Sequence, residues 1–227
     1  MLVQNQVGPI ATTQSISPGL QSPARAGNLG DTIVSELHGR FYEQTYRGNM
    51  FSAGITLTAL TANTISLTNT TTPILGLWNP SASTVNLVVA QAALQVVANN
   101  LTSGAAPGAF VWAYSAANTA LTLGLSTAWN RKTLTTSGSQ ARYFTPATAL
   151  TGLTNNLVIA EAADFSGVSG LTYTTLASTT MIPSYGGVQN FDGSLVIPPG
   201  GLVCLLNTVS STVFSVAGRI LWEEVPL

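Results

Sequence analysis

From Met50 to the carboxy terminus, apolar residues come in short runs, each closed within a few positions by Gly, Pro, Asn or Ser. ITLTAL, TISLT and ILGLW alternate or nearly alternate between apolar and polar side chains, the two-residue period of a half-buried strand. TVNLVVAQAALQVV puts Val85, Leu87 and Val89 on one face and continues through Leu94 and Val96. GAFVWAY, ARYFTP, NLVIAEA, LTYTTL, GSLVI and GLVCLLN follow, with NPSAS and the Pro198–Gly201 run as turns. The last run, TVFSVAGRILWEEV, sets Phe214, Val216, Ile220 and Trp222 against Ser215, Arg219 and Glu223, as expected of a strand with one buried face. About ten to twelve strands at this spacing, with no helix of 10 to 15 residues between them, predict an all-β body at 50–227. We expect an antiparallel β-sandwich, with a jelly roll as the leading arrangement, and exclude a parallel α/β fold.

The first 50 residues differ in kind. Residues 1–30 are rich in Gln, Ser, Pro, Gly and Ala without sustained periodicity, and read as an extended amino-terminal arm. Residues 31–49 form a charged and aromatic connecting segment, and the pattern predicts a short helix there. Asp31 can cap its start, Gly48 can end it, and Glu36 with Arg40 and Glu43 with Arg47 are favourable i,i+4 pairs. Gly39 and the aromatics argue for a strand instead.

Charge sharpens that contrast. Only 7% of residues are charged, against roughly 25% in an ordinary soluble domain. Four of the fifteen charged side chains fall in ELHGRFYEQTYRGNMF (36–51), and then Gly48 to Asn130 contains none over 83 residues. With a formal net charge of −1, little repulsion separates copies of the chain, so a surface covered by partners is expected. Seven Lys and Arg, clustered only at Arg131 and Lys132, exclude a nucleic-acid partner. No apolar run reaches the roughly 18 residues that span a bilayer, so no membrane role is expected, and the amino terminus lacks the features of a secretory signal.

Candidate chemistry is sparse. His38 is the only histidine and Cys204 the only cysteine, and Cys204 sits in the apolar run GLVCLLN as expected of a small buried hydrophobe. Glu161 and Asp164 lack the oxygen-rich spacing of a calcium loop, and Glu223 with Glu224 read as charges guarding a sheet edge. GxSxG, P-loop and GxGxxG motifs are absent. No enzyme activity, metal or other cofactor is expected, and a small-molecule ligand is disfavoured. Of the four tryptophans, Trp78 and Trp222 fall in strand patterns and read as core. Trp129, beside Asn130, Arg131 and Lys132, is the candidate for stacking on a sugar.

Four stretches taken together, ELHGRFYEQTYRGNMFSAG, ILGLWNPSASTVNLVV, VIPPGGLVCLLNT and GRILWEEVPL, resemble small virion proteins of tailed bacteriophages, and head decoration (cement) proteins in particular. They cover about a quarter of the chain. The resemblance implies a β-rich homotrimer on the outer surface of the phage head, seated between capsomers of the major capsid protein, with no catalytic residues. On that reading Arg40, Phe41, Glu43, Tyr46 and Arg47 are the capsid-contact residues. Alternatively they stabilise one surface helix through internal pairs worth about 0.2–0.5 kcal/mol each. Head fibres and tail spikes share the same style, so a receptor- or glycan-binding module is the second expectation.

Overall fold

The computed structural model describes residues 5–6, 24–25, 41–59, 73–98, 109–121, 128–136, 138–144, 150–163, 184–207 and 214–227. The chain divides into two units, Met1–Tyr42 and Glu43–Leu227. In the first, β1 (Asn5–Gln6) pairs in parallel with β2 (Ala24–Arg25). The expected helix cap at Asp31, the Glu36–Arg40 pair and the strands TISLT and LTYTTL lie outside the described residues.

The helix is short. α1 spans Tyr42–Arg47, and its end is fixed by glycine chemistry. Gly48 takes φ +86°, its N–H donates to the Thr45 carbonyl at 3.0 Å, and the Asn49 N–H reaches back to the Gln44 carbonyl at 3.1 Å. Those two bonds satisfy carbonyls that a helix end otherwise leaves open, in the Schellman arrangement. The stop at Gly48 is therefore the one the sequence predicts.

The rest of the second unit is an antiparallel β-sandwich of two five-stranded sheets. Sheet I holds β3 (Met50–Ala59), β5 (Val85–Ala98), β7 (Trp129–Asn130), β10 (Ser184–Ile197) and β12 (Phe214–Pro226), in the order β10-β5-β12-β3-β7. Sheet II holds β4 (Leu75–Trp78), β6 (Phe110–Ser115), β8 (Arg142–Phe144), β9 (Val158–Ala162) and β11 (Leu202–Asn207), in the order β8-β4-β11-β6-β9. The chain changes sheet after almost every strand; only β8 to β9 stays within one. NPSAS and PPGG are therefore corners between sheets and not hairpin turns.

Between the sheets lies a core of inward-facing side chains that includes Leu77, Leu87, Trp112, Leu205, Ile220 and Trp222. Trp112 meets Phe191 edge-on at 5.4 Å between ring centroids, and its indole N–H donates to Gln189 Oε1 at 2.8 Å. β11 reads LVCLLN without alternation because it is buried on both faces. Val203 and Leu205 point into the core, while Leu202, Cys204 and Leu206 join Leu121, Leu150 and Leu157 in a second cluster on the outside of sheet II. Gly152 lets this covering layer close: at φ +83°, a side chain there would collide with the Ala120 backbone. Cys204 is fully buried, as expected, and burial pushes its thiol above its ordinary range.

Two strands depart from expectation. β10 begins nine residues before GSLVI, through a Gly-Gly pair, because Asp192 (φ +54°) and Gly193 (φ +84°) form a bulge inside the strand and not a turn that ends it. β12 is a central strand, paired with β5 on one side and β3 on the other, so Glu223 and Glu224 do not guard an edge. Glu224 is buried at 8% exposure and accepts from Ser139 Oγ at 2.6 Å and the Gln140 N–H at 3.0 Å. It pins the segment leading into β8 onto sheet I.

The corners are tied by Asn79, which is fully buried. Its Nδ2 donates to the Val85 carbonyl at 2.8 Å and the Ile197 carbonyl at 3.0 Å, while its own backbone exchanges bonds with Gly201 and Gly200. Asn79→Ala leaves two buried carbonyls without that donor, at roughly 1–3 kcal/mol each. We expect Tm to fall by roughly 5–10 °C, read by differential scanning calorimetry; an unchanged Tm would show that the corners hold without it.

Candidate functional site

Asparagine chemistry also builds the ridge at the α1 end of the sandwich. Asn130, on β7, sends Nδ2 to the Gly48 carbonyl at 2.8 Å, while its Oδ1 accepts the N–H groups of Lys132 at 2.9 Å and Thr133 at 3.2 Å. The Leu134 N–H returns to the Asn130 carbonyl at 3.0 Å, closing a tight loop in which Leu134 takes φ +55°. One side chain thus fixes both the loop and the exit of the helix. Lys132 is held with its ammonium 5.0 Å from the centroid of the Tyr46 ring, a cation–π contact.

Of the predicted contact residues, Arg40 and the side chain of Glu43 lie outside the described residues, and so do the expected Glu36–Arg40 and Glu43–Arg47 pairs. Phe41 is half-buried. Tyr46 is 62% exposed and Arg47 is exposed, side by side at the end of α1. Arg47 acts on a carboxylate that the sequence gave no reason to pair with it: Glu223, across the corner on β12. Burial raises the Glu223 pKa above the usual carboxylate range, and the Arg47 charge pulls it partly back down. The ridge therefore gathers Tyr46, Arg47 and Lys132, with Trp129 and Arg131 on the same short β7 loop. Arg131 and Lys132 are visible as a pair in sequence, but their approach to α1 depends on β7 adding to the edge of β3, and a two-residue strand has no periodicity to detect.

The opposite side of the sandwich has the reverse chemistry. Its edge strands are β9 in sheet II and β10 in sheet I. Every residue of β9 is exposed, with Val158 at 65% and Ile159 at 42%, and Val188 and Val196 on β10 are about half exposed. Between these edges lies an apolar recess of about 420 Å³, lined by Tyr114, Val158, Leu195 and Val196 among others. Glu161 on β9 accepts a hydrogen bond from the Tyr114 hydroxyl at 2.9 Å. Burial and Glu161 together push that phenol well above its ordinary range, so it stays a donor.

No protein-family model matches the chain, and no curated protein matches it. Among the described residues there is no group of three or more His, Cys, Asp or Glu placed to hold a metal ion. No described helix is long and apolar enough to cross a membrane. Trp78 and Trp222 are buried and Trp129 is 49% exposed, as their sequence patterns predict, and Trp112 is buried as well.

The Glu223 shift has a definite sign in pH. Because folding raises this pKa, the carboxyl favours the fold most when protonated, below the ordinary carboxylate range. That contribution is lost as pH rises through the folded value. We expect Glu223→Gln to melt above the wild type at neutral pH and the gap to close by about pH 4. A gap that does not change with pH would place the cause elsewhere.

Proposed function

We propose that the chain is a structural protein of a tailed-phage virion, a head decoration protein. It sits as a homotrimer on the outer surface of the head and clamps the major capsid protein lattice without covalent chemistry. The observation that carries this reading is the β9–β10 side, where Val158, Ile159, Val188 and Val196 are exposed on two sheet edges that no other described strand pairs, in a protein with few charges. Such a side is a hazard for a solitary molecule and suits burial against another copy of the same chain.

On this reading the ridge at the other end faces the capsid together with the amino-terminal arm. Tyr46 and Arg47, with Arg40, Phe41 and Glu43, set orientation, since a mispaired charge at an interface costs several kcal/mol. Lys132, held against the Tyr46 ring, extends the predicted contact set. Weak contacts of this kind, repeated by each subunit of a trimer and by each trimer on a shell, sum to strong retention through effective concentration.

Two experiments test the proposal. The double variant Val158→Asp, Val196→Asp changes only exposed positions, so its folded core should survive. Sedimentation velocity should show the wild type as a trimer and the variant as a monomer. Purified heads lacking the protein should gain heat resistance on adding the wild-type chain and not on adding one without residues 1–30. A wild type that sediments as a monomer and does not stay on heads would overturn the assignment.

A further inference from the structure

The outer face of sheet I carries a second surface, distinct from the β9–β10 side. Beside β7 it forms a trough of about 420 Å³, within the usual range of ligand sites. Its floor is the stretch Ser52–Ile55 of β3, where Gly54 has no side chain and stays exposed. One wall is Trp129 with Arg131 and Leu134, and Arg219 on β12 closes the other side.

We propose that this trough binds an acidic sugar unit of a cell-surface polysaccharide. Trp129 is the only tryptophan held outward among four, and its indole N–H has no partner among the described residues. A half-exposed indole beside the open backbone at Gly54 is a platform on which the apolar face of a pyranose ring can lie. The charge around it has one sign. Arg131 and Arg219 line the trough and no carboxylate among the described residues does, although acidic residues outnumber basic ones in the chain as a whole.

Arg219 is also held in place. Its Nη2 donates to Gln91 Oε1 at 2.7 Å, and Gln91 Nε2 donates to Asn190 Oδ1 at 2.9 Å, a polar chain across β12, β5 and β10. That tie holds the guanidinium toward β5, so Arg219 lends the trough charge from one side, and Arg131, on the same wall as Trp129, is the arginine left to pair with a bound oxygen anion. A planar guanidinium matches a carboxylate better than it matches a neutral hydroxyl. Stacking on Trp129 and pairing with arginine together select a ring that carries an acid. The trough adjoins the Tyr46–Lys132 ridge that the capsid assignment uses, so the two are told apart by readout: oligosaccharide titration of the free chain tests the trough, and retention on heads tests the capsid assignment.

The test is titration of the full chain with hyaluronan tetrasaccharide, cellotetraose and inorganic phosphate, followed by calorimetry or saturation-transfer NMR. We expect the uronate-bearing oligosaccharide to bind, the neutral one to bind at least about tenfold more weakly, and affinity to fall with salt. Trp129→Ala and Arg131→Gln should each weaken binding about tenfold with unchanged circular dichroism, and Trp129→Tyr should retain most of it. Equal binding of neutral and acidic oligosaccharides, binding of phosphate that ignores Trp129, or no binding of the uronate would each overturn the proposal.

Discussion

The fold depends on holding its corners. A chain that crosses between two sheets after almost every strand cannot rely on hairpins to set register, because consecutive strands are rarely neighbours. Asn79 meets that constraint at one end of the sandwich, where three hydrogen bonds of this one residue join the crossing after β4 to the crossing after β10 and a fourth, to the Val85 carbonyl, closes its own crossing. Asn118 continues the tie: its N–H donates to the Gly200 carbonyl at 2.9 Å and its Oδ1 accepts the Thr154 N–H at 3.0 Å. The layer that covers sheet II is thereby fixed to the same corner. Buried amides do this where charged groups would suffer a large desolvation cost.

The composition follows from the same logic. With corners tied by Asn, and Glu224 pinned by Ser139 and backbone N–H groups, the body needs few ion pairs to define itself. Much of the remaining charge lies on the surface. Arg47, Arg131, Lys132 and Arg219 come from three distant parts of the sequence, and β7 and its loop bring them to one side of sheet I.

Much of the strand pattern is legible without coordinates, because alternation survives wherever one face is wet. It fails for physical reasons in three places. β11 is covered on both faces and so does not alternate. β10 carries an Asp-Gly pair that signals a turn, yet bulges within a continuing strand because β5 holds both halves in its ladder. β7 is too short to carry any pattern. The end of α1 is legible because Gly48 is required by its positive φ, whereas the partner of Arg47 is not, because Glu223 lies 176 positions away and meets it only through the fold. The same limit hides the trough, whose Trp129 can be singled out in sequence while Arg219 cannot.

If copies associate through this apolar edge, as proposed, something must keep the association from growing without end. Glu161 supplies an answer. It stands on the exposed edge strand β9 two residues beyond Ile159, and the Tyr114 hydroxyl holds its carboxylate in place. A strand adding along the full length of β9 would have to strip water from that fixed charge, which costs far more than a flexible one at the rim. Contact through Val158 and Ile159 alone avoids the penalty. One tethered carboxylate thus permits lateral packing of side chains and opposes open-ended addition of strands, and a closed ring of copies satisfies both conditions where a fibre does not.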